Sequence, residues 1–206
     1  MYYDITGIIL CGGRSSRMGV NKSFLKLGER YVIEIISSLM KELFNRVILI
    51  TNETHLYEFL KIELLEDICK GKGPLGGIHS GLVHSKSENN FIISCDIPLI
   101  SKETIEFIMD YPSEKCIKVP YADGFIQQLC GVYSKSCLPL IDEIFNEENN
   151  QKKCMVLKLV DRAESEIINI ENEIKGYDTN MFLNMNDMVQ YKEVKRLYEE
   201  SLIQGI

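Results

Sequence analysis

The sequence predicts an α/β fold, a three-layer, Rossmann-like sandwich in which helices cover both faces of a mainly parallel sheet. Short, nearly continuous apolar runs alternate with segments whose apolar residues fall at helical spacing. This alternation favours right-handed crossovers between parallel strands. The chain has 206 residues, of which 45% are hydrophobic, enough for a substantial core. We therefore expect one domain over residues 1–206.

In the first half of the chain, the strands are predicted from β-branched apolar runs. Ile5–Leu10 ends at two glycines, and Arg46–Thr51 and Phe91–Asp96 are similarly continuous, as in strands buried on both faces. Helical spacing of apolar residues predicts a helix over Tyr31–Phe44. The remaining predictions are a short helix over His55–Ile62 and, in Pro74–His84, a glycine-rich turn leading into a helix.

In the second half, Ser101 is the predicted N-cap of a helix whose apolar face includes Ile105 and Ile108. The polar segment Glu147–Lys153, EENNQKK, is the expected exposed loop. The other predicted elements are strands over Cys116–Pro120, Phe125–Tyr133 and Glu166–Ile170 and helices over Leu138–Phe145 and Val189–Leu202.

The composition of the chain excludes several classes of binding partner. The formal net charge is −7, from 23 basic and 30 acidic side chains, which argues against a nucleic-acid or anionic-membrane binder. The seven cysteines contain no Cys-x-x-Cys pair and no zinc-finger spacing. The amino terminus does not resemble a signal peptide, and no apolar run approaches the roughly 20 residues of a membrane helix. We therefore expect a soluble, cytoplasmic protein with free thiols.

The segment Leu10–Lys22, LCGGRSSRMGVNK, places glycines and positive charge directly after a predicted strand. Successive glycines let backbone N–H groups approach an anion, and Arg14, Arg17 and Lys22 are suited to neutralise phosphates. The segment matches neither the P-loop nor the dinucleotide-binding pattern. Two interpretations follow from the residues alone: a loop that wraps a polyphosphate, or a solvated basic turn.

Three motifs in order give the chain a family resemblance. LCGGRSSRMGVNKSFL resembles the amino-terminal signature of nucleotidyltransferases. Together with GPLGGI at Gly73–Ile78 and SCDIPL at Ser94–Leu99, it resembles the molybdenum cofactor guanylyltransferase family. The resemblance fades after about Tyr133.

The resemblance implies roles for individual residues. Leu10, Cys11 and Gly12 would contact the nucleotide through their backbone, Gly13 would complete the turn, and Arg17 and Lys22 would hold the triphosphate. Asp67 would contact the nucleoside; the alternative is an acidic residue at a strand end.

Asp96 is the predicted metal ligand, because Mg²⁺ prefers oxygen ligands and bridges one or two carboxylates to substrate phosphates. The alternative for Asp96 is a residue that caps a turn before Pro98. The segment Gly73–Gly77 would approach the base, or is a glycine turn that opens a helix.

Two departures from the family pattern stand out. Asn21 replaces the usual Asp before Lys22, and the Asn184-Met185-Asn186 segment continues with Asp187 in place of Thr-Pro. Asn184 and Asn186 would orient the metal or the pterin phosphate, or form a turn.

The implied reaction transfers GMP from GTP to molybdenum-molybdopterin with Mg²⁺ as cofactor, and proteins that make or insert this cofactor are expected partners by resemblance. The alternatives are a related nucleotidyltransferase that uses CTP or a sugar phosphate, and a nucleotide-binding module without catalysis.

Overall fold

The computed structural model of the chain describes residues 1–12, 21–147, 155–175 and 177–204. The described strands are β1 (Tyr2–Leu10), β2 (Lys26–Leu27), β3 (Arg30–Tyr31), β4 (Phe44–Ile50), β5 (Glu63–Leu65), β6 (Asn89–Ser94), β7 (Ile117–Ala122), β8 (Phe125–Ile126), β9 (Cys130–Ser134) and β10 (Ser165–Asn169). The described helices are α1 (Val32–Leu43), α2 (Gly73–His84), α3 (Lys102–Asp110), α4 (Leu138–Glu147), α5 (Val156–Arg162), α6 (Ile170–Glu173) and α7 (Met188–Gln204).

Eight of these strands form one mixed sheet in the order β10-β7-β9-β6-β1-β4-β5, with β8 paired to β7. Strands β6, β1, β4 and β5 run parallel to one another. Strand β9 runs antiparallel to both β6 and β7, whereas β10 is parallel to β7. The predicted mainly parallel α/β sheet is confirmed; β9 runs against both of its neighbours, β6 and β7, and the short strand β8 runs against β7.

Helices cover both faces of this sheet. Neighbouring residues of a buried strand point to opposite faces, and Ile8 and Ile9 accordingly belong to two separate cores. Ile9 packs in a core with residues of α1 and α3. Ile8 packs in the other with residues of α2, α4 and α5. The two cores explain why the central strands are continuously apolar rather than alternating.

Two predicted elements take a different form. The segment predicted as a helix over His55–Ile62 forms two 3-10 turns, because Tyr57 leaves helical geometry and Lys61 has a left-handed φ of 52°. The strand predicted over Phe125–Tyr133 is divided into β8 and β9 by a turn, in which the Cys130 N–H donates to the Gln127 carbonyl at 3.0 Å. Of the predicted loop over 147–153, Glu147 ends α4 and the rest lies outside the described residues.

Ser101 caps α3 as predicted, since its hydroxyl accepts a hydrogen bond from the Thr104 N–H at 3.1 Å. Within the described residues, no helix combines the length and the apolar character needed to cross a membrane.

Candidate active site

The carboxyl ends of four parallel strands meet at one edge of the sheet. Hydrogen bonds continue the ladder one residue past the strands: the Cys11 N–H donates to the Ile50 carbonyl at 3.0 Å, and the Cys95 N–H donates to the Leu10 carbonyl at 3.2 Å. The segment Leu10–Lys22, which we call the first loop, therefore begins beside the turn that carries Asp96. In sheets of this kind, ligands bind outside the carboxyl ends of the strands.

The two ends of the first loop meet at the hydroxyl of Tyr57. The Cys11 thiol donates to this hydroxyl at 3.1 Å, and the Asn21 amide donates to it at 3.0 Å. The Ser23 hydroxyl lies 2.9 Å from it and 2.7 Å from the Asn21 side-chain oxygen. Burial raises the pKa of Tyr57 well above its usual range, so the phenol stays neutral. Asn21 thus fixes the loop exit through an amide N–H that a carboxylate at this position does not have.

Asp67 is held in the turn after β5. One of its oxygens, Oδ1, accepts from the Cys69 N–H at 2.9 Å and lies 2.9 Å from the Ser80 hydroxyl. The same hydroxyl lies 2.8 Å from the Gly76 carbonyl of α2. The other oxygen, Oδ2, has no hydrogen bond to a described residue, which leaves it available to a ligand.

The glycines of GPLGGI allow α2 to begin directly against this turn. Gly73 has a φ of +64°, which favours glycine. A Cβ atom on Gly76 would lie 2.8 Å from the Cys69 carbonyl oxygen, and one on Gly77 would lie 3.2 Å from Leu10. The first turn of α2, whose N–H groups have no intrahelical partner, therefore lies between Leu10 and Asp67.

Lys22 and Asp96 are joined through the segment Asn184–Asn186. The Lys22 ammonium donates to the Asn186 side-chain oxygen at 3.1 Å, and the Met185 N–H donates to the Asp96 carbonyl at 3.1 Å. Met185 is fully buried in a small core with residues of β2, α1 and α7. The structure thus brings both asparagines of the predicted segment to the site.

Asp187 caps the start of α7. Its carboxylate accepts from the N–H groups of Val189 and Gln190, each at 2.9 Å, as an N-cap residue does. The residue that departs from the family pattern after Asn186 therefore begins the helix that anchors the segment.

The carboxylate of Asp96 is half-buried and has no hydrogen bond or ion pair with any described residue. Asn184 lines the same cavity as Asp96; its amide nitrogen donates to the Phe182 carbonyl at 3.2 Å, which leaves the amide oxygen free. No group of three or more His, Cys, Asp or Glu side chains among the described residues is placed to hold a metal. A carboxylate and an amide oxygen nevertheless fit Mg²⁺, which keeps several waters and completes its shell with substrate phosphates.

Cys95 is not suited to act as a nucleophile. The hydrogen bond with Cys11 and burial raise the pKa of the Cys95 thiol well above its usual range, so the thiol stays protonated. The six cysteines within the described residues are all free.

The structure brings together most of the predicted site residues that it describes. Leu10, Cys11, Gly12, Asp67 and Asp96 lie at one sheet edge, and Lys22 reaches Asn186 beside it. Gly13, Arg14 and Arg17 lie outside the described residues, so their proposed roles stay predictions.

Sequence reasoning missed Tyr57 and Ser80, which hold the loop ends and Asp67. Tyr57 lies in a segment of mixed polar and apolar residues without a motif. Ser80 carries one weak signal, its position four residues after Gly76 on the same helix face.

Known proteins resemble this chain over most of its length, in sequence and in fold. A family model described as MobA-like NTP transferase domain matches residues 7–163. A protein of Peptoclostridium acidaminophilum named probable molybdenum cofactor guanylyltransferase is 34% identical over 97% of this chain and 92% of its own length. A protein of the same name from Flavobacterium johnsoniae is 35% identical over 86% and 91%. The crystal structure of molybdopterin-guanine dinucleotide biosynthesis protein A from Archaeoglobus fulgidus shares the fold, with a TM-score of 0.78 at 20% identity over 95% of this chain and all of that one.

Proposed function

The chain belongs to the MobA-like NTP transferase family, and from this premise we propose that it transfers GMP from GTP to the terminal phosphate of molybdenum-molybdopterin and releases pyrophosphate. The chain is a nucleotidyltransferase, as its family and relatives establish. The choice of guanine and of the pterin acceptor rests on the names of relatives that are about one-third identical. The observation that carries the proposal is the convergence of Lys22 and Asp96 on the segment Asn184–Asn186.

The reaction needs alignment and charge neutralisation more than proton transfer. The acceptor phosphate is anionic at neutral pH, so it attacks the α-phosphorus of GTP without a general base. The bond from the α-phosphorus to the bridging oxygen breaks, and its electron pair leaves with pyrophosphate. Two anions must therefore be held in line against their mutual repulsion, and fixed positive groups lower that barrier.

Each part of the proposed site has one task. The backbone of Leu10–Gly12 and the free oxygen of Asp67 would bind the nucleoside. Lys22, with Arg17, would stabilise the charge that develops on pyrophosphate. Asp96 and the amide oxygen of Asn184 would hold Mg²⁺, which supplies electrostatic polarisation of the α-phosphate when bound.

The decisive experiment incubates the protein with GTP, Mg²⁺ and molybdenum-molybdopterin and follows pyrophosphate together with the dinucleotide product. We expect one pyrophosphate per dinucleotide formed, and a much lower kcat/KM when CTP or UTP replaces GTP. Faster reaction with CTP or UTP would overturn the guanylyl assignment. Turnover with a sugar phosphate but not with molybdopterin would overturn the assignment of molybdopterin as the acceptor.

A further inference from the structure

A cavity of about 280 Å³ lies at the carboxyl end of β6, where Ser94 and Asp96 line it. Its wall is formed by the segment 125–130, which comprises β8, the turn after it and the first residue of β9, together with Ile97 and Asn184. The volume is just below the range of roughly 300–1,000 Å³ found for ligand cavities. It therefore suits a compact ring system better than a whole nucleotide.

Strand β6 separates this cavity from the start of the first loop. On one side, the Cys95 N–H donates to the Leu10 carbonyl at 3.2 Å; on the other, the Ser94 N–H donates to the Leu129 carbonyl at 2.8 Å. Leu129 lines the cavity, whereas Leu10 begins the predicted nucleotide loop. A nucleotide at Leu10–Gly12 and a second ligand in the cavity would thus meet over the end of β6, where Asp96 lies.

The cavity wall contains two neighbouring glutamines with different tasks. The Gln127 amide donates to the Ala122 carbonyl at 3.1 Å, and the Gln127 N–H donates to the Pro120 carbonyl at 2.8 Å. These bonds fix the wall against β7. Gln127 is therefore structural.

Gln128 has a fixed backbone and an unpaired side chain. Its carbonyl accepts from the Tyr133 hydroxyl at 2.5 Å. Its side-chain oxygen Oε1 is buried and has no hydrogen-bond partner among the described residues. An unpaired buried acceptor costs free energy and calls for a physical explanation. Because the terminal amide torsion is broad and roughly two-fold, rotation about it can turn the oxygen, or after a flip of about 180° the NH₂ group, toward a ligand in the cavity.

Phe125 supplies an aromatic face at the same cavity. Its side chain is 72% exposed, at the end of a tight hairpin in which Asp123 and Gly124 have φ values of 54° and 80°. The hairpin holds the ring beside the amides. Flat heteroaromatic ligands stack on such a ring with their polar edges free for hydrogen bonds.

We propose that this cavity binds the fused, nitrogen-rich ring of the acceptor, with Phe125 as the stacking surface and the Gln128 amide as the group that recognises its donor–acceptor edge. The inference rests on the proposed function, because it assigns the acceptor to a place. It makes Gln128 and Phe125 determinants of acceptor specificity that no sequence motif marks.

The test compares Gln128→Met and Phe125→Ala with the control Tyr3→Ala. Met matches the length of Gln and removes only the unpaired amide, so the variant should fold. Tyr3 is also an aromatic residue with 72% exposure, but it lies near the start of β1, away from the carboxyl edge. Two quantities are measured: the KM for molybdenum-molybdopterin in the pyrophosphate assay, and the affinity for pterin-6-carboxylate from the quenching of its fluorescence.

We expect both cavity variants to raise the acceptor KM and to weaken pterin binding by about 10-fold, the effect of one lost hydrogen bond or stacking contact, while Tyr3→Ala changes neither. If the wild-type enzyme makes the dinucleotide and both cavity variants keep its acceptor KM, the inference is wrong and the proposed function stands. If the variants weaken pterin binding but the wild-type protein transfers no GMP to molybdopterin, the cavity assignment stands and the proposed reaction falls.

Discussion

At the residue scale, Lys22 is held by a neutral partner. Its ammonium donates to the amide oxygen of Asn186, and no carboxylate within the described part of the chain pairs with it. An amide fixes the position of the ammonium without cancelling its charge. The full positive charge is thus available to a departing anion.

Replacement of Lys22 tests this role. We expect Lys22→Ala to lower kcat/KM for GTP by about 10²–10³-fold, as for the loss of one preorganised charged donor, in the pyrophosphate-release assay. Lys22→Arg keeps the charge and should lose less. Near-normal turnover of the alanine variant would show that Lys22 does not stabilise the departing pyrophosphate.

Tyr57 offers a second test at this scale, because one hydroxyl serves Cys11, Asn21 and Ser23. We expect Tyr57→Phe to lower the free energy of unfolding by about 1–3 kcal/mol, since it leaves buried groups without a partner. Urea denaturation measures this change. Tyr3→Phe removes a hydroxyl from an exposed side chain and serves as the control; equal effects of the two changes would contradict the role of Tyr57.

At the element scale, the start of α2 depends on close backbone contact. Gly76→Ala would place a methyl group 2.8 Å from the backbone carbonyl of Cys69. We expect a loss of about 1–3 kcal/mol in the free energy of unfolding, measured by urea denaturation, together with weaker GTP binding as Asp67 shifts.

Gly12→Ala is the matched comparison for stability, because a Cβ atom at Gly12 meets no atom of a described residue within 4 Å. This variant should unfold at the wild-type urea concentration. A Gly76→Ala protein as stable as Gly12→Ala would show that α2 tolerates displacement.

The elements also show what the sequence can predict. The central strands were predictable because both of their faces are buried, which demands continuous apolar runs such as IIL at Ile8–Leu10. The division of Phe125–Tyr133 was not, since the turn at Gln127–Cys130 depends on the Gln127 N–H pairing with Pro120 of β7. Local propensity does not report such long-range bonds.

In the candidate site, too, residues within local motifs were predictable and residues that act through long-range contacts were not. Residues within motifs, such as Asp67 and Asp96, could be placed because topology brings strand ends together. Tyr57, Ser80 and Gln128 could not, because each acts through a tertiary contact without a local pattern.

At the scale of the whole molecule, ligand binding should stabilise the fold. GTP at about 100 times its Kd, with Mg²⁺, adds about 2.7 kcal/mol, which corresponds to a rise in Tm of roughly 5–10 °C for a chain of this size. Thermal denaturation with GTP, CTP and UTP measures the selectivity directly, and a chelator should reduce the GTP shift. Equal shifts for the three nucleotides would contradict selection of guanine by the folded protein.

The change of strand direction beside β6 has a consequence for engineering. The parallel strands β1, β4 and β5 lie on one side of β6, and β9, β7 and β10 lie on the other. The residues that select the nucleotide donor and those that select the acceptor would therefore lie in separate parts of the chain. A chimera that exchanges residues 117–134 for those of a relative should acquire a new acceptor and keep its old nucleotide.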